Sequence, residues 1–105
     1  MRKAKIFAGA AVLALGGSLA VAAPAVAYVD GGYSGSNVRI RQTPNTSDTR
    51  VLGLGQTSHT ARLWCFTPGS TVSGDPWWDY HTNRNTGKVG YSSETLLWGN
   101  IQTEC

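Results

Sequence analysis

The sequence predicts an all-β domain, a small barrel of five or six short strands with one 3-10 turn and one disulfide. Three observations carry this. Apolar and polar residues alternate with period two in several short runs, of which Val38-Arg39-Ile40-Arg41 is the clearest. Clusters of Pro, Gly, Asn, Asp and Ser separate those runs at short spacing, and no stretch holds a convincing helical period. Two cysteines, Cys65 and Cys105, fall in a short chain that carries an export signature.

That signature occupies residues 1–27. Arg2, Lys3 and Lys5 give a positive start, Ile6 to Ala23 is apolar and interrupted by Gly16-Gly17, and Ala25-Val26-Ala27 is a small-residue cleavage pattern. The reading is a secretory signal peptide with Tyr28 as the first mature residue. The alternative is a retained anchor, since about 18 apolar residues approach the lower limit for a membrane span. Cleavage changes the charge balance. The whole chain carries nine basic and six acidic residues. Three of the basic ones leave with the signal, so the mature chain has no net formal charge and its composition implies no nucleic-acid partner and no membrane binding.

Residues 28–105 suffice for one domain. Residues 28–37 are rich in glycine and read as a flexible lead-in. Val38 to Arg41 is a half-buried strand with Val38 and Ile40 inward. Thr43 to Asp48 is a surface loop of turn formers, in which Asn45-Thr46-Ser47 has the form of a glycosylation sequon. Arg50 to Leu54 is a second strand, ended by Gly55. His59 to Phe66 is the longest strand, with Ala61, Leu63 and Cys65 inward and Arg62 and Trp64 outward, because the opposite register would bury Arg62. Pro68-Gly69 and Gly74-Asp75-Pro76 bound a loop. Trp77 to His81 and Lys88 to Ser92 form a hairpin, Ser93 to Leu97 makes a 3-10 turn, and Trp98 to Cys105 closes the sheet.

A core this small benefits from a covalent staple. Cys65 and Cys105 are most simply a disulfide, with an intermolecular Cys105 bridge as the alternative. A catalytic thiol or a metal pair would need ligands at recognisable spacing, and the sequence offers none, so no metal or cofactor is implied.

From Val38 onward the chain resembles the bacterial SH3, or SH3b, family. The resemblance rests on Val38-Arg39-Ile40-Arg41 with the Thr43-Pro44-Asn45 turn, Val51-Leu52-Gly53, Ala61 to Cys65, Trp77-Trp78, the Gly87-Lys88-Val89-Gly90-Tyr91 hairpin and Leu96-Leu97. It implies an SH3-like barrel over 38–105 and a binding role. Members commonly recognise cell-wall peptides or glycopeptides beside a separate hydrolase domain. The chain departs from the pattern at Thr43, at Tyr91 and in its cysteine pair. Leu96 stands where eukaryotic SH3 domains present a groove tyrosine, which argues against proline-rich peptides.

Adjacent tryptophans on a strand leave opposite faces, so one of them is expected near the surface. In the family pattern the first of the pair lines the groove. Trp77 is therefore the leading ligand residue, with Asp75 and Asp79 orienting a ligand group beside it and Tyr91, Trp64 and Asn45 as further candidates; for each aromatic the competing role is packing. Trp98 and Tyr80 are assigned to the core. His59 and His81 read as solvated surface groups. No serine, histidine and carboxylate are arranged for nucleophilic catalysis, and no catalytic residue is assigned. The expected function is a secreted, monomeric, non-catalytic module that binds cell-wall peptide or glycopeptide. The alternative is an extracellular inhibitor or immunity partner of a secreted enzyme.

Overall fold

A computed structural model describes residues 27–105, so the signal-peptide assignment lies outside the described residues except for Ala27. Seven strands form one antiparallel sheet: β1 Val29–Tyr33, β2 Val38–Arg41, β3 Val51–Gly55, β4 Thr60–Val72, β5 Asp75–Asn83, β6 Val89–Ser93 and β7 Leu97–Trp98. A 3-10 turn, Glu94–Leu96, precedes β7, and the Ser93 side chain caps it by accepting from the Thr95 N–H. The order across the sheet is β3-β2-β6-β5-β4-β1-β7. The sheet curls until the Tyr33 ring of β1 lies against Gly55 of β3, where any side chain would run into the ring. Among the described residues, no helix is long and apolar enough to cross a membrane.

Three sequence expectations change. The glycine-rich lead-in is not loose: Val29–Tyr33 is a strand between β4 and β7, and Tyr33 is a buried core residue. The glycines are what admit it. A Cβ on Gly32 would stand 2.7 Å from the Trp98 indole, so β7 crosses β1 only because Gly32 has no side chain. The strand count is accordingly seven. Second, Pro68-Gly69 does not end the long strand, which runs on to Val72 through a register irregularity between Pro68 and Val72. A proline fits there because a bulged position needs no ladder donor. Third, the closing strand is only Leu97–Trp98. The tail beyond it returns to β4 through Phe66 N–H to Thr103 carbonyl at 2.8 Å and Cys105 N–H to Phe66 carbonyl at 2.9 Å.

The core comprises Tyr33, Val38, Ile40, Ala61, Leu63, Phe66, Leu97 and Ile101, with Val29 and Trp77 packed against it. Ala61 and Leu63 point inward as the alternation requires. A bulge then places Trp64 as an extra residue between the Leu63 and Cys65 pairings, so Phe66 takes the inward position expected of Cys65. Cys65 is half-buried and joined to Cys105.

β5 supplies the interior of the curled sheet with polar groups. Asp79, His81 and Asn83 are fully buried, and the side chains of His81 and Asn83 find hydrogen-bond partners on the backbone and on His59. Asn83 Oδ1 accepts the N–H groups of Asn85 and Thr86, and its amide meets His59 Nδ1 at 3.0 Å. His81 Nδ1 donates to the Asp79 carbonyl at 3.0 Å, and its ring packs edge-on to Tyr33. Neither histidine is the solvated surface group expected: His59 is half-buried and accepts the Gln56 N–H.

Burial pulls the His81 pKa down to about 4, against a smaller opposing effect of the Asp79 carbonyl bond. The folded imidazole is thus neutral at a pH where the unfolded one takes up a proton. The stability this represents is complete above about pH 6.5 and is lost as pH falls toward 4, roughly 3 kcal/mol in all. Urea midpoints should fall steadily between pH 7 and pH 4.5, and His81→Gln should flatten that slope. An unchanged slope in the variant would show that another group controls acid stability.

Candidate functional site

The alternation that sends Val38 and Ile40 inward sends Arg39 and Arg41 to the outer face of β2. β6 lies beside β2, with Arg41 opposite Tyr91, and β5 beside β6, with Trp78 opposite Ser93. Across these three strands runs a groove of about 440 Å³. Its floor includes Trp78 and Ser93. Its walls are the Gly35–Asn37 turn, Arg39 and Arg41, Thr46, the Val72 end of β4, and Leu96 of the 3-10 turn.

Trp78 leaves the outer face of β5 and is nevertheless only 2% exposed. The 43–48 loop and the end of β4 fold over it. Its indole Nε1 donates to the Ser70 carbonyl at 2.7 Å, and the Gly69 backbone presses so near that a Cβ there would lie 2.9 Å from Trp78 Cδ1. The cover is tied down by Ser70 N–H to Pro44 carbonyl at 3.1 Å and Thr46 N–H to Ser70 Oγ at 3.1 Å. Leu96, by contrast, is 40% exposed at the rim. The groove therefore combines a rigid aromatic base with an accessible aliphatic edge.

The expected ligand residues do not converge on this groove. Trp77, the leading candidate, faces the other way: it is half-buried and T-shaped against Phe66, with centroids 5.2 Å apart. It lines a separate depression of about 280 Å³ with Pro68, Glu104 and Cys105. Its neighbour Trp78 is the tryptophan of the main groove. Asp79 cannot orient a ligand beside either, because it is fully buried on the core side of β5. Asp75 Oδ1 accepts the Trp77 N–H at 2.8 Å and shapes the start of β5. Asn45 Oδ1 accepts from Ser47 N–H, Ser47 Oγ and Ser70 Oγ, which makes it a loop clamp.

Tyr91 is half-buried on the outer face, tilted against Tyr80 at 5.0 Å. Trp64 donates its Nε1 to Thr82 Oγ1 at 2.9 Å and takes the edge of Tyr28 at 5.6 Å. Tyr28 in turn lies 3.8 Å under the Arg62 guanidinium, which also pairs with Asp30 at 2.9 Å. Arg62 is thus outward and partnered. Trp98, expected in the core, is 57% exposed over Gly32.

Sequence reasoning missed Trp78, Arg39 and Arg41 as groove residues. The signal for the arginines was present in the Val38–Arg41 alternation, which already puts both on one outward face. No local signal marks Trp78, since its cover comes from residues 43–48 and 69–72. Among the described residues, no group of three or more His, Cys, Asp or Glu could hold a metal ion. No family model matches the chain, and no curated protein or solved structure matches it.

Proposed function

We propose that this chain is a secreted, non-catalytic binding module of the SH3b type, which takes a cell-wall peptide or glycopeptide in the groove above Trp78. The observation that supports it is the groove itself: a preformed concave site seated on the buried Trp78, with an exposed Leu96 at its rim and polar donors along one wall. Leu96 occupies the position at which the SH3 pattern places a groove residue. The Cys65–Cys105 disulfide in so small a domain is compatible with a location outside the cytoplasm.

The purified, oxidised protein should be retained on washed insoluble peptidoglycan. Leu96→Asp should weaken that retention roughly tenfold, since a buried aliphatic contact is replaced by a charge needing water. Leu96 is exposed, so the variant keeps its fold. A wild-type protein that stays in solution would remove wall recognition. The search would then turn to a secreted protein partner, for which the exposed Trp98 offers an anchor.

A further inference from the structure

Arg39 and Arg41 stand two residues apart on the same outward face of β2, with side chains spaced by roughly 7 Å. Both line the groove above Trp78, and both also line a second hollow of about 280 Å³ toward Thr49 and Val51. The pair therefore forms the ridge between an apolar trough and a smaller recess.

Among the described residues, neither charge is paired with an acid. Arg41 Nη1 donates to the Asp48 carbonyl at 2.8 Å and reaches the Thr46 carbonyl at 3.5 Å. These carbonyls orient the guanidinium and leave its charge uncancelled. The ion pairs among the described residues are Arg50 with Asp48 and Arg62 with Asp30. Asp48, the acid of the adjoining loop, is committed: Arg50 holds one oxygen at 3.0 Å and the Thr43 hydroxyl donates to the other at 2.7 Å. Glu94 follows groove residue Ser93 but is buried.

From this arrangement we infer that Arg39 and Arg41 form a carboxylate subsite, and that the groove takes an extended peptide whose carboxylate lies on the two guanidiniums while an apolar side chain lies against the exposed Leu96. This rests on the groove being the binding site and adds the chemistry of what enters it. Guanidinium forks match carboxylates in geometry as well as charge. A polyanion is a poor fit, because two unpaired cations beside an apolar trough are not the long basic stripe that a nucleic acid requires.

The test uses acetyl-alanyl-alanine with a free C-terminal carboxylate, its C-terminal amide, and sodium acetate, each titrated into the isotopically labelled protein and followed by NMR. The acid should shift the Arg39 and Arg41 Nε–H and Leu96 methyl signals saturably. The amide should bind at least about tenfold more weakly, the cost of losing charge-assisted hydrogen bonds. Arg39→Gln and Arg41→Gln should each weaken the acid while preserving the dispersed spectrum of a folded domain. Arg84→Gln, in the β5–β6 turn, should leave it unchanged.

Equal affinity for acid and amide, no shift at these groups, or indifference to both arginine substitutions would overturn the proposal. Acetate binding as tightly as the peptide acid would likewise overturn it, by showing an adventitious anion with no use of the apolar edge. The outcome is separable from wall recognition: acid binding without retention on peptidoglycan rejects that reading and leaves the subsite standing, and retention with acid and amide bound equally does the reverse.

Discussion

Replacing Cys65 and Cys105 together with alanine should destabilise the domain by about 4 kcal/mol, the chain-entropy value for a loop of the observed separation of 40 residues. For a domain of this size that approaches the lower end of the whole folding free energy. The structure explains why little else would compensate. Beyond Leu97–Trp98 the tail has no regular secondary structure, and it rejoins β4 through two backbone hydrogen bonds around Phe66 and the burial of Ile101. Without the staple, Ile101 would leave the core in the same opening that exposes Phe66. Urea unfolding with and without reductant, beside the double-alanine variant, measures the effect. A loss below about 1 kcal/mol would show that the tail contacts hold the end of the chain by themselves.

The second large effect is expected at Trp78. Trp78→Ala removes a fully enclosed indole and should cost about 3–5 kcal/mol, the range for deleting a large aromatic from a packed site. It would also orphan the Ser70 carbonyl and release the Pro44 and Gly69 contacts, so the 43–48 loop loses its seat. Trp98→Ala is the matched control. That indole is 57% exposed, and its loss should cost about 1 kcal/mol or less. The two urea midpoints, measured side by side, should differ widely. Similar losses at both positions would contradict the assignment of Trp78 as the enclosed ring and Trp98 as the surface one.

The elements legible in the sequence are those whose signals are local. The Val38–Arg41 alternation is an intrinsic period, and it holds in the structure as strand β2 with Val38 and Ile40 buried. The 3-10 turn at Glu94–Leu96 and the hairpin of β5 and β6 follow from short-range turn chemistry. The disulfide was legible because two cysteines in a short chain with an export signature leave few alternatives.

Errors arose wherever a distant partner decides. The strand β1 looked like a linker because its glycines bury little themselves; their value lies in letting Trp98 and the β7 backbone approach. His81 read as a surface group and Asp79 as a ligand residue because what buries them, such as the Tyr33 ring packed on His81, lies far along the chain, which alternation cannot show. The face of the Trp77-Trp78 pair follows the same logic. Period two dictates that the rings leave opposite faces, and that much the sequence determined by itself, together with the all-β class, the outward arginines and the paired cysteines. Which face is the core follows from the burial of Asp79 and His81, whose face Trp77 shares, and which ring is enclosed was decided by the 43–48 loop and the end of β4 folding over Trp78. Register and burial depend on surfaces that meet only after the chain has closed on itself, whereas alternation and turn chemistry act between neighbours.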